Sequence, residues 1–267
     1  MESLEQSIAI IGAGNLGIAI AKGIAEKGVR KPEDIIMTRR NVDAINYLTR
    51  DGFKITPYNL QAVAQARIIF LCVQPKQLAG VIEEINAQLT SDHVLVSVIT
   101  GVKIDEIRSQ LQVDVPVIRA MPNTAIGIGE SMTCIASHNA TEHLEEIQLL
   151  FGTLGLTLVI EENLMQAATV LGASGIAFFL RFLRAATQGG IQMGFDAEEA
   201  QMIAVQTAKG AASLILTNKE HPEVEIDRVT TPEGCTIEGL NEMEHQGLSS
   251  ALIKGLMVSY NKIKNIK

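Results

Sequence analysis

Short runs that are apolar at every position alternate with amphipathic stretches through the first 160 or so residues. Residues 7–11 (Ser-Ile-Ala-Ile-Ile) break at Gly12-Ala13-Gly14 and lead into Ala- and Ile-rich sequence that ends near Gly28. That pattern predicts strand, glycine turn and helix. Residues 34–38 predict a second strand, 42–50 a helix, and 67–73 another strand. Residues 93–98 and 115–118 add buried strands, and 132–136 and 156–160 complete the set. Strands lacking a polar face need cover on both sides, so the expected class is α/β, a doubly wound and mostly parallel sheet with helices on each face.

From about Glu162 the texture changes to long Ala-, Leu- and Met-rich segments. Residues 163–190, 196–218 and 235–264 predict helices, separated by Gly194-Phe195-Asp196 and by a loop over 221–234. The expected organisation is a Rossmann domain over residues 1–162 and an all-α domain over residues 163–267. The first of these helices is apolar nearly all round, at Ile176, Ala177, Phe178, Phe179, Leu180, Phe182 and Leu183. A small helical domain cannot cover such a helix alone, which predicts a homo-oligomer joined through this domain.

Composition narrows the class. The 22 basic and 30 acidic residues leave a formal charge of −8, and no Lys or Arg run offers a nucleic-acid or anionic-membrane footprint. The segment Met1–Glu5 is acidic with no leader pattern, and no stretch reads as a membrane span, so a cytoplasmic protein is expected. Three dispersed cysteines, Cys72, Cys134 and Cys235, argue against disulfides and give no metal-ligand spacing. His138, His143 and His221 read as solvated loop or helix-end residues, so no metal is expected.

The hexad Gly12-Ala13-Gly14-Asn15-Leu16-Gly17 follows a strand and opens a helix, the setting in which G-x-G-x-x-G marks a dinucleotide site. Its first glycine serves a tight turn, its second lets a pyrophosphate approach, and its third lets helix and strand pack. The second strand ends in Thr38-Arg39-Arg40-Asn41, with no carboxylate for a ribose and two guanidinium groups suited to a phosphate monoester. NADPH is the expected cofactor, with NADH the other option.

Arg119-Ala120-Met121-Pro122-Asn123-Thr124 resembles the R-x-M-P-N signature of the pyrroline-5-carboxylate reductase family. Gly172-Ala173-Ser174-Gly175-Ile176-Ala177-Phe178 is similar to that family's G-S-G-P-A-[YF], and residues 229–236 to its V-T-S-P-G-G-T-T. The resemblance implies reduction of 1-pyrroline-5-carboxylate to L-proline by hydride transfer from NAD(P)H, the last step of proline biosynthesis. It implies cofactor contacts at the glycine turn, at the end of the second strand, at Asn59, at Cys72, Val73, Gln74 and Pro75, and at Val98, Ile99 and Thr100. Met121, Pro122 and Asn123 fall beside the nicotinamide, with Asn123 a catalytic candidate. Ser174 and the loop Thr231, Pro232, Glu233, Gly234, Cys235 and Thr236 fall on the substrate, with Thr236 nearest its ring nitrogen.

The chain departs from the pattern at Gln74 (Lys in the family), Ala173 (Gly), Ile176 (Pro), Glu233 (Gly) and Cys235 (Thr), and Arg184 stands at an acidic position. These changes keep two alternatives open: a reductase of the same fold for another small imine or carbonyl, and a non-catalytic NADP-binding regulatory protein.

Overall fold

The structure, a computed structural model, describes residues 7–138 and 140–263. The N-terminal segment Met1–Glu5 and position 264 of the last expected helix lie outside the described residues.

Eight strands form one sheet: β1 Ile8–Ile11, β2 Ile35–Thr38, β3 Lys54–Thr56, β4 Ile68–Leu71, β5 Val94–Ser97, β6 Val117–Met121, β7 Ser131–Ser137 and β8 Gly155–Val159. Their order is β3-β2-β1-β4-β5-β6-β7-β8. Every neighbouring pair is parallel except β6 and β7. The helices of this part are α1 Asn15–Glu26, α2 Asn59–Val63, α3 Leu78–Ile85, α4 Ile104–Arg108, α5 Thr141–Gly152 and α6 Met165–Ala168.

Successive strand residues face opposite layers. Ile8, Ile10, Phe70, Val94 and Val96 pack with Ile20 and Ile24 of α1 and Phe151 of α5. Ala9, Ile11, Ile69, Leu71 and Leu95 pack with Ile82 and Ile85 of α3 and Ile107 of α4. Burying an aliphatic side chain of this size stabilises by about 1.5–3 kcal/mol relative to exposing it. The two layers therefore fix the sheet firmly enough for its strand ends to hold a site.

The chain leaves β1 toward β2 and β3 on one side and returns to β4 on the other, so the order reverses between β1 and β4. Ile11 is in register with both Thr38 and Leu71, and Leu71 with Ser97. The residues that follow these partners, Gly12, Arg39, Cys72 and Val98, consequently stand in one row at the carboxyl ends. Open α/β sheets take ligands at such a switch point.

The remaining helices are α7 Gly175–Gln192, α8 Ala197–Asn218, α9 Pro222–Val229, α10 Cys235–His245 and α11 Leu248–Ile263. By internal packing the chain divides into two units, one running to Ser174 and resuming at Tyr260, the other Gly175–Ser259. In the second unit α7 lies against α8, and a Cβ on Gly190 would come within 2.9 Å of Ala200 Cβ. Gly175, Gly190 and Ala200 are its only buried residues, whereas Phe179, Leu180 and Phe182 are 50–65% exposed.

Several expectations are corrected. Residues 42–50 form two 3₁₀ stretches, Val42–Ala44 and Asn46–Asp51, because short polar side chains there compete for the backbone; Thr49 Oγ1 donates to Asn46 O at 2.7 Å. Residues 221–234 contain α9, which starts with Pro222 at its first position under a His221 cap. Residues 235–264 break at Gly247, whose φ is +84°. The helix expected over 163–190 begins as a 3₁₀ turn, Glu162–Leu164, and includes a π-helical stretch, Thr169–Ser174. By length and composition Glu162–Gln192 is long and apolar enough to cross a membrane, an 18-residue window within it having a mean hydropathy of 1.4. The expectation that no stretch would be rested on an unbroken apolar run, which Gln166, Thr169, Ser174, Arg181 and Arg184 interrupt here, whereas the average over the window stays high.

Candidate active site

The glycine turn is built against its neighbours. Gly12 has φ +98°, and a Cβ there would lie 2.6 Å from Cys72 O; one on Gly17 would lie 2.6 Å from Gly12 O. A Cβ on Gly14 would meet nothing within 4 Å. Two glycines thus let the backbone close up, and the third leaves open space before the first turn of α1. That turn has no side-chain cap and no acidic residue, so its N–H groups are available to an anion. This arrangement fits a dinucleotide pyrophosphate.

The end of β2 is tied to the turn. Ala13 N–H donates to Thr38 O at 2.8 Å, and Gly12 N–H reaches Thr38 O at 3.3 Å and Thr38 Oγ1 at 3.4 Å. Thr38 Oγ1 donates to Asn59 Oδ1 at 2.6 Å, and Asn59 Nδ2 donates to Glu84 Oε2 at 2.8 Å. Glu84, on α3, is a member of the chain that the sequence did not reveal. Arg39 Nη1 donates to Ala13 O at 3.0 Å, so this guanidinium props the turn, while Arg40 is exposed.

Cys72 N–H donates to Ile11 O at 2.8 Å, and burial pushes the Cys72 thiol up to about 12. It is a protonated packing group and not a nucleophile. Gln74 and Gln77 cap the 3₁₀ turn Pro75–Gln77 reciprocally, Gln74 N–H donating to Gln77 Oε1 at 3.0 Å. Next in the row, Val98 and Ile99 are buried and Thr100 is half-buried, with Val98 N–H donating to Leu71 O at 3.2 Å.

Met121, Pro122 and Asn123 are buried at the end of β6. Asn123 Oδ1 accepts from Ala125 N at 3.0 Å, its own N–H donates to Ser131 Oγ at 3.1 Å, and its Nδ2 donates to Gly172 O at 3.1 Å. One amide therefore caps the turn after β6 and holds the π-helical stretch that ends in half-buried Ser174.

Arg119 is a buried strut. Its Nη1 donates to Glu162 Oε1 at 3.0 Å, with the two side chains 5% and 9% exposed. Glu162 Oε1 also accepts from Ile104 N at 2.7 Å, and its Oε2 lies 2.7 Å from His138 Nε2. His138, expected as a solvated loop residue, keeps a side chain 44% exposed and hydrogen-bonds Glu162 through its ring nitrogen. Burial alone would raise the Glu162 carboxyl, but the bonds from Ile104, His138 and Arg119 outweigh it and hold the group below its ordinary range.

In the second unit, Gly234 N–H donates to Thr231 O at 2.9 Å across a turn with Pro232 and Glu233 at its centre. Glu233 has φ +59°, a left-handed conformation that favours glycine. A Cβ on Gly234 would fall 2.4 Å from Thr231 Oγ1, so this glycine is required by the close turn. Gly234 then leads into α10 with no side-chain cap, and Cys235 and Thr236 open the helix exposed.

Residues 162–266 match the family described as pyrroline-5-carboxylate reductase dimerisation, and residues 7–101 match that described as NADP oxidoreductase, coenzyme F420-dependent. Pyrroline-5-carboxylate reductase 2 of Dictyostelium discoideum is 46% identical over 96% of this chain and 92% of its own length. The chain belongs to the pyrroline-5-carboxylate reductase family. Pyrroline-5-carboxylate reductase 1 of the same organism is also 46% identical over the whole chain, which spans 51% of that longer protein. The fold matches the crystal structure of Plasmodium falciparum pyrroline carboxylate reductase with NADP bound, at a TM-score of 0.87 and 21% identity, covering 98% of each chain. The residues expected to hold the cofactor lie together at the strand ends of the first unit, and Asn123 is joined through Gly172 to the segment that carries Ser174. Thr231–Thr236 belong to the second unit.

Proposed function

We propose that this reductase converts 1-pyrroline-5-carboxylate to L-proline with NADPH as its reductant. The observation that carries the reading is the open space before the uncapped start of α1, bordered by the row of strand ends, in a chain 46% identical to a named reductase over nearly its full length. When bound, NADPH supplies the hydride for the imine carbon.

Residues 1–162 serve the cofactor. The turn from Gly12 to Gly17 takes the pyrophosphate, Thr38, Arg39, Arg40 and Asn59 take the adenosine end, and Cys72–Pro75 and Val98–Thr100 line the path to the reacting end. Asn123 fixes the backbone beside the nicotinamide. Residues 163–267 serve the substrate and assembly. The N–H groups of Gly234, Cys235 and Thr236 open a helix of eleven residues and suit a carboxylate. The Thr236 hydroxyl stands by the ring nitrogen, where charge changes during reduction. Exposed Phe179, Leu180 and Phe182 pack against a second copy of the chain, giving a dimer or a multiple of dimers of a soluble, cytoplasmic enzyme.

The test is oxidation of NADPH by the purified protein on addition of 1-pyrroline-5-carboxylate, followed at 340 nm, with proline identified as product. Turnover is expected, faster with NADPH than with NADH. A protein that binds NADPH but leaves this imine unchanged would replace the reading with a reductase of another imine or carbonyl. A protein that turns over no imine or carbonyl would leave the non-catalytic, regulatory alternative.

A further inference from the structure

We infer that Glu162 is a positioning residue for the cofactor, acting through the backbone that lines it; this rests on the reading of Val98–Thr100 and Asn123 as cofactor contacts. Its carboxylate gathers three segments. Oε1 takes the Ile104 N–H at 2.7 Å, at the start of α4 and four residues after Thr100. The same oxygen takes Arg119 Nη1 at 3.0 Å, on the strand that delivers Asn123 four residues later. Oε2 takes His138 at the end of β7, at 2.7 Å. The loop from Val98 to Lys103 is held at its other end by the Val98 bond to Leu71 O, so the Ile104 bond fixes the second end of a span that carries the proposed contacts. Releasing it leaves that end held by the Ile107 N–H bond to Lys103 O and by the packing of Val102 and Ile104, with the backbone of Ile104 no longer fixed by a polar partner, while the sheet beneath keeps its own hydrogen bonds. A geometric loosening of this kind weakens binding and reaction without unfolding the protein.

A buried acceptor of this type is also part of the fold, so the test must separate the two roles. Glu162→Met removes both acceptor oxygens and leaves Arg119 as a buried cation without a partner. Arg119→Met/Glu162→Met removes both charges together, a replacement that restores stability in buried pairs. NADPH affinity is measured by isothermal titration calorimetry and unfolding by differential scanning calorimetry, on the full chain. We expect Glu162→Met to weaken NADPH binding about ten-fold. The double variant should regain the wild-type unfolding temperature while its affinity stays weak, because the Ile104 N–H still lacks its acceptor. Affinity that returns together with stability, or a double variant that does not fold, assigns the carboxylate a purely structural role and overturns the inference. A wild type that fails to bind NADPH would instead overturn the reading of the site.

Discussion

Arg39 and Arg40 are neighbours in sequence with different duties. Arg39 is committed to Ala13 O within the turn, whereas Arg40 is exposed at the end of β2. Arg39→Ala should therefore raise the Michaelis constants for NADPH and NADH alike. Arg40→Ala should raise that for NADPH alone, by about five- to a hundred-fold, as expected for a lost charge-assisted bond of about 1–3 kcal/mol. Steady-state kinetics with both cofactors check the division, and equal effects of Arg40→Ala on the two would remove the phosphate contact. Glu162 makes a second prediction, on pH. Its folded-state pKa is depressed, so its contribution is present above the ordinary carboxylate value of 4.5 and is lost as pH falls below it through the folded value. The Arg119 guanidinium and the His138 ring are the groups that face it. In thermal melts from pH 7 to pH 3, the stability gap between wild type and Glu162→Gln should close across the acid end of that range. A gap that persists unchanged to pH 3 would contradict this.

At the scale of elements, glycines in one turn have separable uses. Gly17→Ala forces a Cβ to within 2.6 Å of Gly12 O and should destabilise the fold by about 1–3 kcal/mol, since backbone cannot step aside as a flexible side chain can. Gly14→Ala places its Cβ in open space at φ −87° and should leave the melting temperature unchanged while weakening NADPH binding. Calorimetry of both variants would show the dissociation, and intact affinity in Gly14→Ala would mean that no pyrophosphate lies there. In the turn before α10, Glu233→Gly should relieve the left-handed backbone and stabilise by about 0.5–1 kcal/mol, the strain outweighing the extra freedom of glycine in the unfolded chain. Turnover should stay roughly as in wild type; a variant that gains turnover where the wild type has none would mean that Glu233 had changed the substrate. The buried strands and the glycine turn were legible because each is a continuous local pattern. The strand β3 was not, because Lys54-Ile55-Thr56 sits at a sheet edge with a partly polar surface. The helix α9 was hidden by its polar composition. Glu84 and Glu162 were beyond reach for another reason: the partners of Glu162 lie 24, 43 and 58 residues away, and only the completed sheet brings them together.

For the whole molecule, the two units differ in how far a single chain satisfies itself. The first buries two full layers on its sheet. The second has three small residues buried among Gly175–Ser259 and leaves Phe179, Met202 and Leu216 more than 60% exposed. Placing a charge in that surface, Phe179→Glu, should yield monomer or insoluble protein where the wild type runs as an oligomer in size-exclusion light scattering. A wild-type monomer at micromolar concentration would remove the interface. The nearly coreless second unit also bears on how the protein is made. A newly synthesised chain can complete its sheet domain by itself as it leaves the ribosome, because every partner in those layers is its own. The helices that follow have to find a second polypeptide before their apolar residues leave water. Maturation therefore ends in a bimolecular encounter, whose speed rises with the concentration of other copies.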